Sequence, residues 1–147
     1  MEILFVCAGN TCRSPMAEAL LNCKLTERKV EGVQCASAGT HVWPGDKAAF
    51  DTVEELKSRG INIEGRAARQ LNAEDVAKAD AILTMTEGVS MAVLALFSQA
   101  EGKVFTLGEY VDEPGDVDDP YGCDEEVYHA TADQIDGLLE KLLKKIG

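Results

Sequence analysis

The stretch Ile3-Leu4-Phe5-Val6-Cys7-Ala8-Gly9-Asn10-Thr11-Cys12-Arg13-Ser14-Pro15 holds three kinds of local structure. The apolar run Ile3 to Val6 reads as part of a fully buried strand over 2–6. Ser14 is a good helix N-cap and Pro15 suits a first helical position, so a helix is predicted over 14–29. Ala17, Leu20, Leu21, Lys24 and Leu25 fall at helical spacing along it. Between strand and helix, five residues separate Cys7 from Arg13. This layout gathers a thiol, a permanently cationic fork and a helix N-terminus around one point, and a phosphate is its natural occupant. Backbone N–H groups at a helix start bind anions, and successive N–H groups in a tight loop form an anion nest. A guanidinium grips two phosphate oxygens at once, and the same positive field favours a thiolate. Taken alone, a cysteine that happens to precede an arginine is as well read as a buried strand end. Gly9, which permits close backbone approach, and the Ser14-Pro15 helix start make the longer pattern more specific.

Outward from this stretch, strands alternate with helices. Residues 33–36 read as a second strand, and 46–59 as a helix with Ala49, Val53 and Leu56 inward and Gly60 as its stop. Asn72 caps a short helix at 73–78, and 81–84 is a third strand. Thr86 caps a helix through Phe97 that buries Val89, Val93, Leu96 and Phe97, and 103–106 is a fourth strand. The last helix is the clearest: Ile135, Leu138, Leu139, Leu142, Leu143 and Ile146 form one apolar stripe. Its acids come early and its lysines late, which suits the helix dipole. The alternation predicts an α/β fold: a single three-layer domain over 1–147, with a four-stranded parallel sheet flanked by helices and the phosphate-binding loop after strand one. In such sheets ligands bind beyond the C-terminal strand ends, where strand order reverses. Cys7 lies there, and the loops at about 37–45, 84–87 and 107–122 should rise on the same side.

Composition narrows the function. The 147 residues are 46% hydrophobic, enough for one domain with a proper core, and no stretch approaches a membrane span in length. A net charge of −12 argues against nucleic acid as a partner. Nine acids and no base lie within 109–126, whereas the phosphate loop carries Arg13 and no acid. Most of that acidic run reads as a solvated loop; it could also attract basic substrate segments. No signal peptide is apparent at the N-terminus. The five cysteines match neither a zinc pattern nor a disulfide framework, so a reducing cytoplasm is expected and neither metal nor cofactor is called for. Cys23 and Cys35 read as packing residues, Cys123 as an exposed loop thiol, and His41 and His129 as residues without recognisable partners.

Cys7 to Pro15, continued by Met16-Ala17-Glu18-Ala19, resembles the active-site signature of the low-molecular-weight protein tyrosine phosphatases, and Asp119-Pro120-Tyr121 resembles that family's general-acid motif. The resemblance spans essentially the whole chain. It implies a phosphorylated protein substrate and hydrolysis through a cysteinyl-phosphate, with Cys7 as nucleophile, Arg13 on the equatorial oxygens and Asp119 as general acid. Asp118 is the rival acid, but Pro120 and Tyr121 complete the motif around Asp119. Phosphate would be held by Ala8, Gly9, Asn10, Thr11, Cys12, Arg13 and Ser14, with Asn10 propping the loop and Ser14 donating to the thiolate. The resemblance also implies a reversible Cys7–Cys12 disulfide that guards against over-oxidation.

Substrate choice divides the family. Thr11 stands where tyrosine-directed members carry a larger aliphatic residue, and here the chain resembles the bacterial protein arginine phosphatase branch. A hydroxyl at that position can hydrogen-bond water or a substrate nitrogen, and an acidic rim suits a guanidinium-bearing chain. Trp43, after Ser37-Ala38-Gly39, resembles the aromatic pocket wall of the tyrosine-directed members, although an indole stacks on a guanidinium as well as on a phenyl ring. Tyr121 would form another apolar wall. Phosphoarginine is therefore the expected substrate and phosphotyrosine the alternative. A thiol-dependent arsenate reductase would need relay cysteines that 37–122 lacks, and an inactive phosphate-binding module would be expected to have lost Cys7, Arg13 or Asp119.

Overall fold

A computed structural model describes residues 1–146. Four strands, β1 (Glu2–Cys7), β2 (Gln34–Gly39), β3 (Ala81–Thr84) and β4 (Val104–Thr106), pair in the order β2-β1-β3-β4, all parallel. The helices are α1 (Arg13–Glu27), α2 (Phe50–Ser58), α3 (Ala73–Lys78), α4 (Glu87–Leu96), α5 (Leu107–Tyr110) and α6 (Glu125–Ile146). β1 is an interior strand of the sheet: β2 lies on one side of it and β3 on the other. Its C-terminal end is thus the point where strand order reverses and a crevice opens.

Side chains alternate across β1. Ile3, Phe5 and Cys7 enter one core with α1 and α6, centred on Leu21, Ile135 and Leu139. Leu4 and Val6 enter the other, with Val76, Ile82 and Val93. Both faces of the central strand are buried, as parallel strands require. The α6 stripe lies against the first core from Tyr128 to Leu143.

Several boundaries differ from those read in the sequence. The first helix begins at Arg13 with Cys12 as its N-cap, and no side chain caps it. Ser14 is already helical and fully buried, and its hydroxyl serves Asn10 and Cys7 instead of a backbone N–H. Pro15 is consequently the third helical residue. β2 runs on to Gly39 because it pairs with β1 as far as Cys7. Residues 46–49 are not helical: Ala48 N donates to Arg66 O, Ala68 N to Asp46 O, and Lys47 bridges Ala67 antiparallel. A long-range backbone pairing outcompetes a first helical turn there. The last strand begins at Val104 rather than 103, and Leu96 is half exposed at the end of α4. The short α5 interrupts the expected loop at 107–122, and its signal was present as Thr106-Leu107-Gly108-Glu109. Thr106 Oγ1 accepts from Glu109 N, and Glu109 returns a carboxylate to Thr106 N, a reciprocal cap.

Candidate active site

The loop 8–12 leaves β1 at its C-terminal end and feeds α1. Two of its carbonyls are held by neighbouring segments: Ala8 O accepts from His41 N, and Thr11 O from Ala49 N. Its N–H groups donate to no backbone carbonyl among the described residues. They are left free beside the N-terminus of α1, and unpaired loop and helix-start N–H groups are the donors that bind anions. Gly39 allows this path, since a Cβ there would stand 2.5 Å from Ala8 O and 3.0 Å from Asn10 N.

Asn10 holds the loop in shape. Its φ is +55°, in the left-handed region that asparagine tolerates. Its side chain is fully buried; Nδ2 donates to Ser14 Oγ (2.8 Å) and Ser37 Oγ (3.0 Å). Its Oδ1 accepts from Arg69 N (2.9 Å) and Arg66 Nη1 (3.2 Å). Four segments are joined through one amide. Behind it, Glu18 Oε1 accepts from Ser37 Oγ (2.6 Å) and Arg66 Nη2 (3.0 Å).

Cys7 is buried, with Sγ 2.8 Å from Ser14 Oγ. Arg13 is buried too; Nη1 donates to Val117 O at 2.8 Å, and Nη2 stands 3.8 Å from Asp119 Oδ2. Val117 in turn donates its N–H to Met85 O at the end of β3. Buried Val117 and Pro120 thus anchor the acidic loop, and the exposed Asp118 and Asp119 stand between them. Of the two acids, only Asp119 pairs with Arg13. Its Oδ1 accepts from Tyr121 N at 3.0 Å. The sequence-predicted triad of Cys7, Arg13 and Asp119 therefore comes together from β1, α1 and the 107–122 segment.

The segment from the end of β1 to the start of α1 thus carries a buried thiol held by Ser14 and a buried guanidinium paired with the carboxylate of Asp119. The model for the low-molecular-weight phosphotyrosine protein phosphatases matches residues 2–147. The chain belongs to this family. It is a cysteine-dependent protein phosphatase. Among relatives, a protein-arginine-phosphatase of Geobacillus stearothermophilus is 40% identical over 99% of this chain and 95% of its own. The low-molecular-weight protein-tyrosine-phosphatase PtpB of Staphylococcus aureus is 37% identical over 97% of this chain and 96% of its own. A low-molecular-weight protein tyrosine phosphatase from T. tengcongensis superposes with a TM-score of 0.95 at 40% identity, covering 99% of both chains. A YwlE arginine phosphatase with a phosphorylated active-site serine does so at 0.93 and 39%, covering 99% of this chain and 95% of its own.

The remaining residues of the phosphatase singled out from sequence sort by position. Thr11 is half buried in the loop, with Oγ1 3.8 Å from Cys12 Sγ. Cys12 is buried, and its sulfur lies 3.5 Å from the Tyr128 hydroxyl. Trp43 and Tyr121 are 77% and 73% exposed, so neither forms a closed wall. Cys23 is half exposed and donates to Glu27, so it is not the packing residue expected. Cys35 does pack against the first core, and burial together with the nearby Glu18 charge pushes its thiol up to about 12. Cys123 is exposed. His41 Nδ1 lies 3.0 Å from Thr40 Oγ1. His129, read as partnerless, stands 3.2 Å from Glu55 Oε2 and 3.4 Å from Asp133 Oδ2. No helix among the described residues is long and apolar enough to cross a membrane.

Glu18, Ser37, Arg66 and Arg69 were missed. The available signal was Glu18 itself, a lone charge between Ser14 and Cys23 on a helix face that must meet the sheet. A half-buried acid on that face asks for a cation, and Arg66 supplies it.

Proposed function

We propose that the protein hydrolyses phosphoarginine in proteins, with Cys7 as nucleophile, Arg13 and the loop N–H groups as the phosphoryl cradle, and Asp119 as general acid and then base. In the first step the Cys7 thiolate attacks phosphorus and the P–N bond breaks. The departing guanidino nitrogen takes the Asp119 proton. In the second, water attacks the cysteinyl-phosphate, Asp119 accepts its proton, and the S–P bond breaks to release phosphate. Ser14 Oγ, 2.8 Å from the sulfur, stabilises the thiolate as attacking and leaving group. No metal enters either step.

The observation that carries the reading is the Arg13–Asp119 pairing beside the loop that carries Thr11 and follows Cys7 at the end of β1. The substrate class rests on Thr11, whose hydroxyl can meet a guanidino nitrogen, and on the acidic 109–126 segment around the mouth. The likeness to protein-arginine-phosphatases over 99% of the chain supports it. Exposed Trp43 favours the second reading, phosphotyrosine, because an indole stacks on a phenyl ring. The acidic charge and the free thiols fit a cytoplasmic enzyme acting on proteins rather than on nucleic acid.

The test is a rate comparison on one peptide scaffold bearing phosphoarginine or phosphotyrosine, read as phosphate release at neutral pH because phosphoarginine is acid-labile. Cys7→Ser is the blank; it should lose turnover and still bind oxyanions. Preference for phosphoarginine is the expected result. Preference for phosphotyrosine would transfer selectivity to Trp43 and Tyr121.

A further inference from the structure

The phosphate loop holds two buried thiols, and each is tied to a different hydroxyl. Cys7 Sγ meets Ser14 Oγ at 2.8 Å, and Cys12 Sγ meets Tyr128 Oη at 3.5 Å. Tyr128 has no part in the chemistry above, yet it is 2% exposed in the first turn of α6. That turn is fastened to α2: His129 and Arg59 both meet Glu55, and Arg59 also donates to Asp133 at 2.8 Å. The phenol is therefore delivered to the underside of the loop by a braced helix. Burial first, and then the bond to Cys12, hold it well above its usual titration range, so it stays a neutral O–H.

We propose that Tyr128 is a positioning residue of the phosphate loop, whose hydroxyl pins the Cys12 sulfur and so limits how fast Cys12 can answer oxidation at Cys7. The proposal rests on the reading of Cys7 as the nucleophile. A peroxide oxidises the Cys7 thiolate to a sulfenic acid, with hydroxide leaving. The Cys12 sulfur then attacks the Cys7 sulfur and hydroxide leaves again, taking up the thiol proton as water; one peroxide has oxidised two thiols to one disulfide. A disulfide requires sulfurs about 2.05 Å apart, so Cys12 Sγ has to move onto the Cys7 sulfur, and on this proposal it gives up its contact with the Tyr128 hydroxyl to do so. A second peroxide competes for the sulfenic acid and gives a sulfinic acid that thiols do not reduce. Tyr128 acts on this partition and not on the first oxidation.

The test uses the whole protein with Tyr128→Phe, which keeps the ring and removes the hydroxyl, and Tyr128→Leu as a second variant lacking it. Each is treated with graded hydrogen peroxide, quenched, reduced with dithiothreitol and assayed on para-nitrophenyl phosphate against its own untreated rate. The expected result is that the peroxide concentration causing half-irrecoverable loss rises about three- to ten-fold, the factor carried by one buried hydrogen bond. The Cys7–Cys12 peptide should form faster by mass mapping. In a Cys12→Ala background the Tyr128 change should have no effect. An unmoved half-point, or a shift that persists without Cys12, overturns the proposal. If no form yields the Cys7–Cys12 peptide, the proposal falls, while turnover that is lost only with Cys7→Ser leaves the phosphatase reading standing.

Discussion

Replacing Asn10 by alanine should cost about 3 kcal/mol of stability and most of the turnover, and the two losses have separable causes. The fully buried side chain makes hydrogen bonds to Ser14, Ser37, Arg66 and Arg69. At about 1 kcal/mol net apiece these sum to about 4. Ser14 keeps its contact with Cys7, and Ser37 keeps Glu18 and Arg66, so about half of that should be recovered by the remaining partners. Alanine at φ +55° adds about 1 kcal/mol of backbone strain. The total of about 3 kcal/mol corresponds to a drop of roughly 6–12 °C in Tm for a domain of this size. Asn10→Gly removes the same bonds without the backbone strain, so it should regain about 1 kcal/mol of the loss. It should regain no activity, because Ser14 and the loop remain unbraced in both variants. Urea unfolding at neutral pH and turnover of para-nitrophenyl phosphate measure the two effects. A loss below about 1 kcal/mol, or a glycine variant with wild-type turnover, would refute the view that this one amide sets the loop.

Thr11→Ile should move preference from phosphoarginine towards phosphotyrosine on matched peptides; unchanged selectivity would remove Thr11 from the specificity argument. Asp119→Asn should slow release of poor leaving groups far more than that of good ones, and equal losses across a series of aryl phosphates would count against an acid role. On α6, Arg28 first and Lys24 second hold the Glu140 carboxyl down to about 2. A folded-state value below the unfolded one means that its contribution is complete above the ordinary glutamate range, near pH 4.3, and is lost as pH falls towards 2. The gap in urea midpoint between wild type and Glu140→Gln should therefore be largest at neutral pH and close on acidification; a constant gap would contradict the ion-pair account.

What the sequence disclosed and what it withheld divide along a physical line. β3 at 81–84 and α3 at 73–78, with its Asn72 cap, match the reading residue for residue, because a buried apolar run and a reciprocal cap are local signals. Cys7 and Arg13 stood out in the sequence for a different reason, because few residue types suit phosphoryl chemistry and a loop that wraps a phosphate constrains their spacing, whereas Asp119 was singled out by its resemblance to the family's general-acid motif. The pairing of 46–48 with 66–68 was not legible, since nothing local distinguishes a first helical turn from a strand awaiting a distant partner. The Glu18–Arg66–Ser37 brace escaped for the same reason, because each of its bonds spans at least nineteen residues. Holding a loop needs only hydrogen-bonding capacity in the right place, which many side chains can supply, so such residues leave a weak mark in one sequence. Asn10 is the exception, because left-handed backbone and four-way amide bonding together admit almost no other residue. The structural burden of the site therefore falls on the residue whose identity is most constrained, one turn of chain from the sulfur it serves.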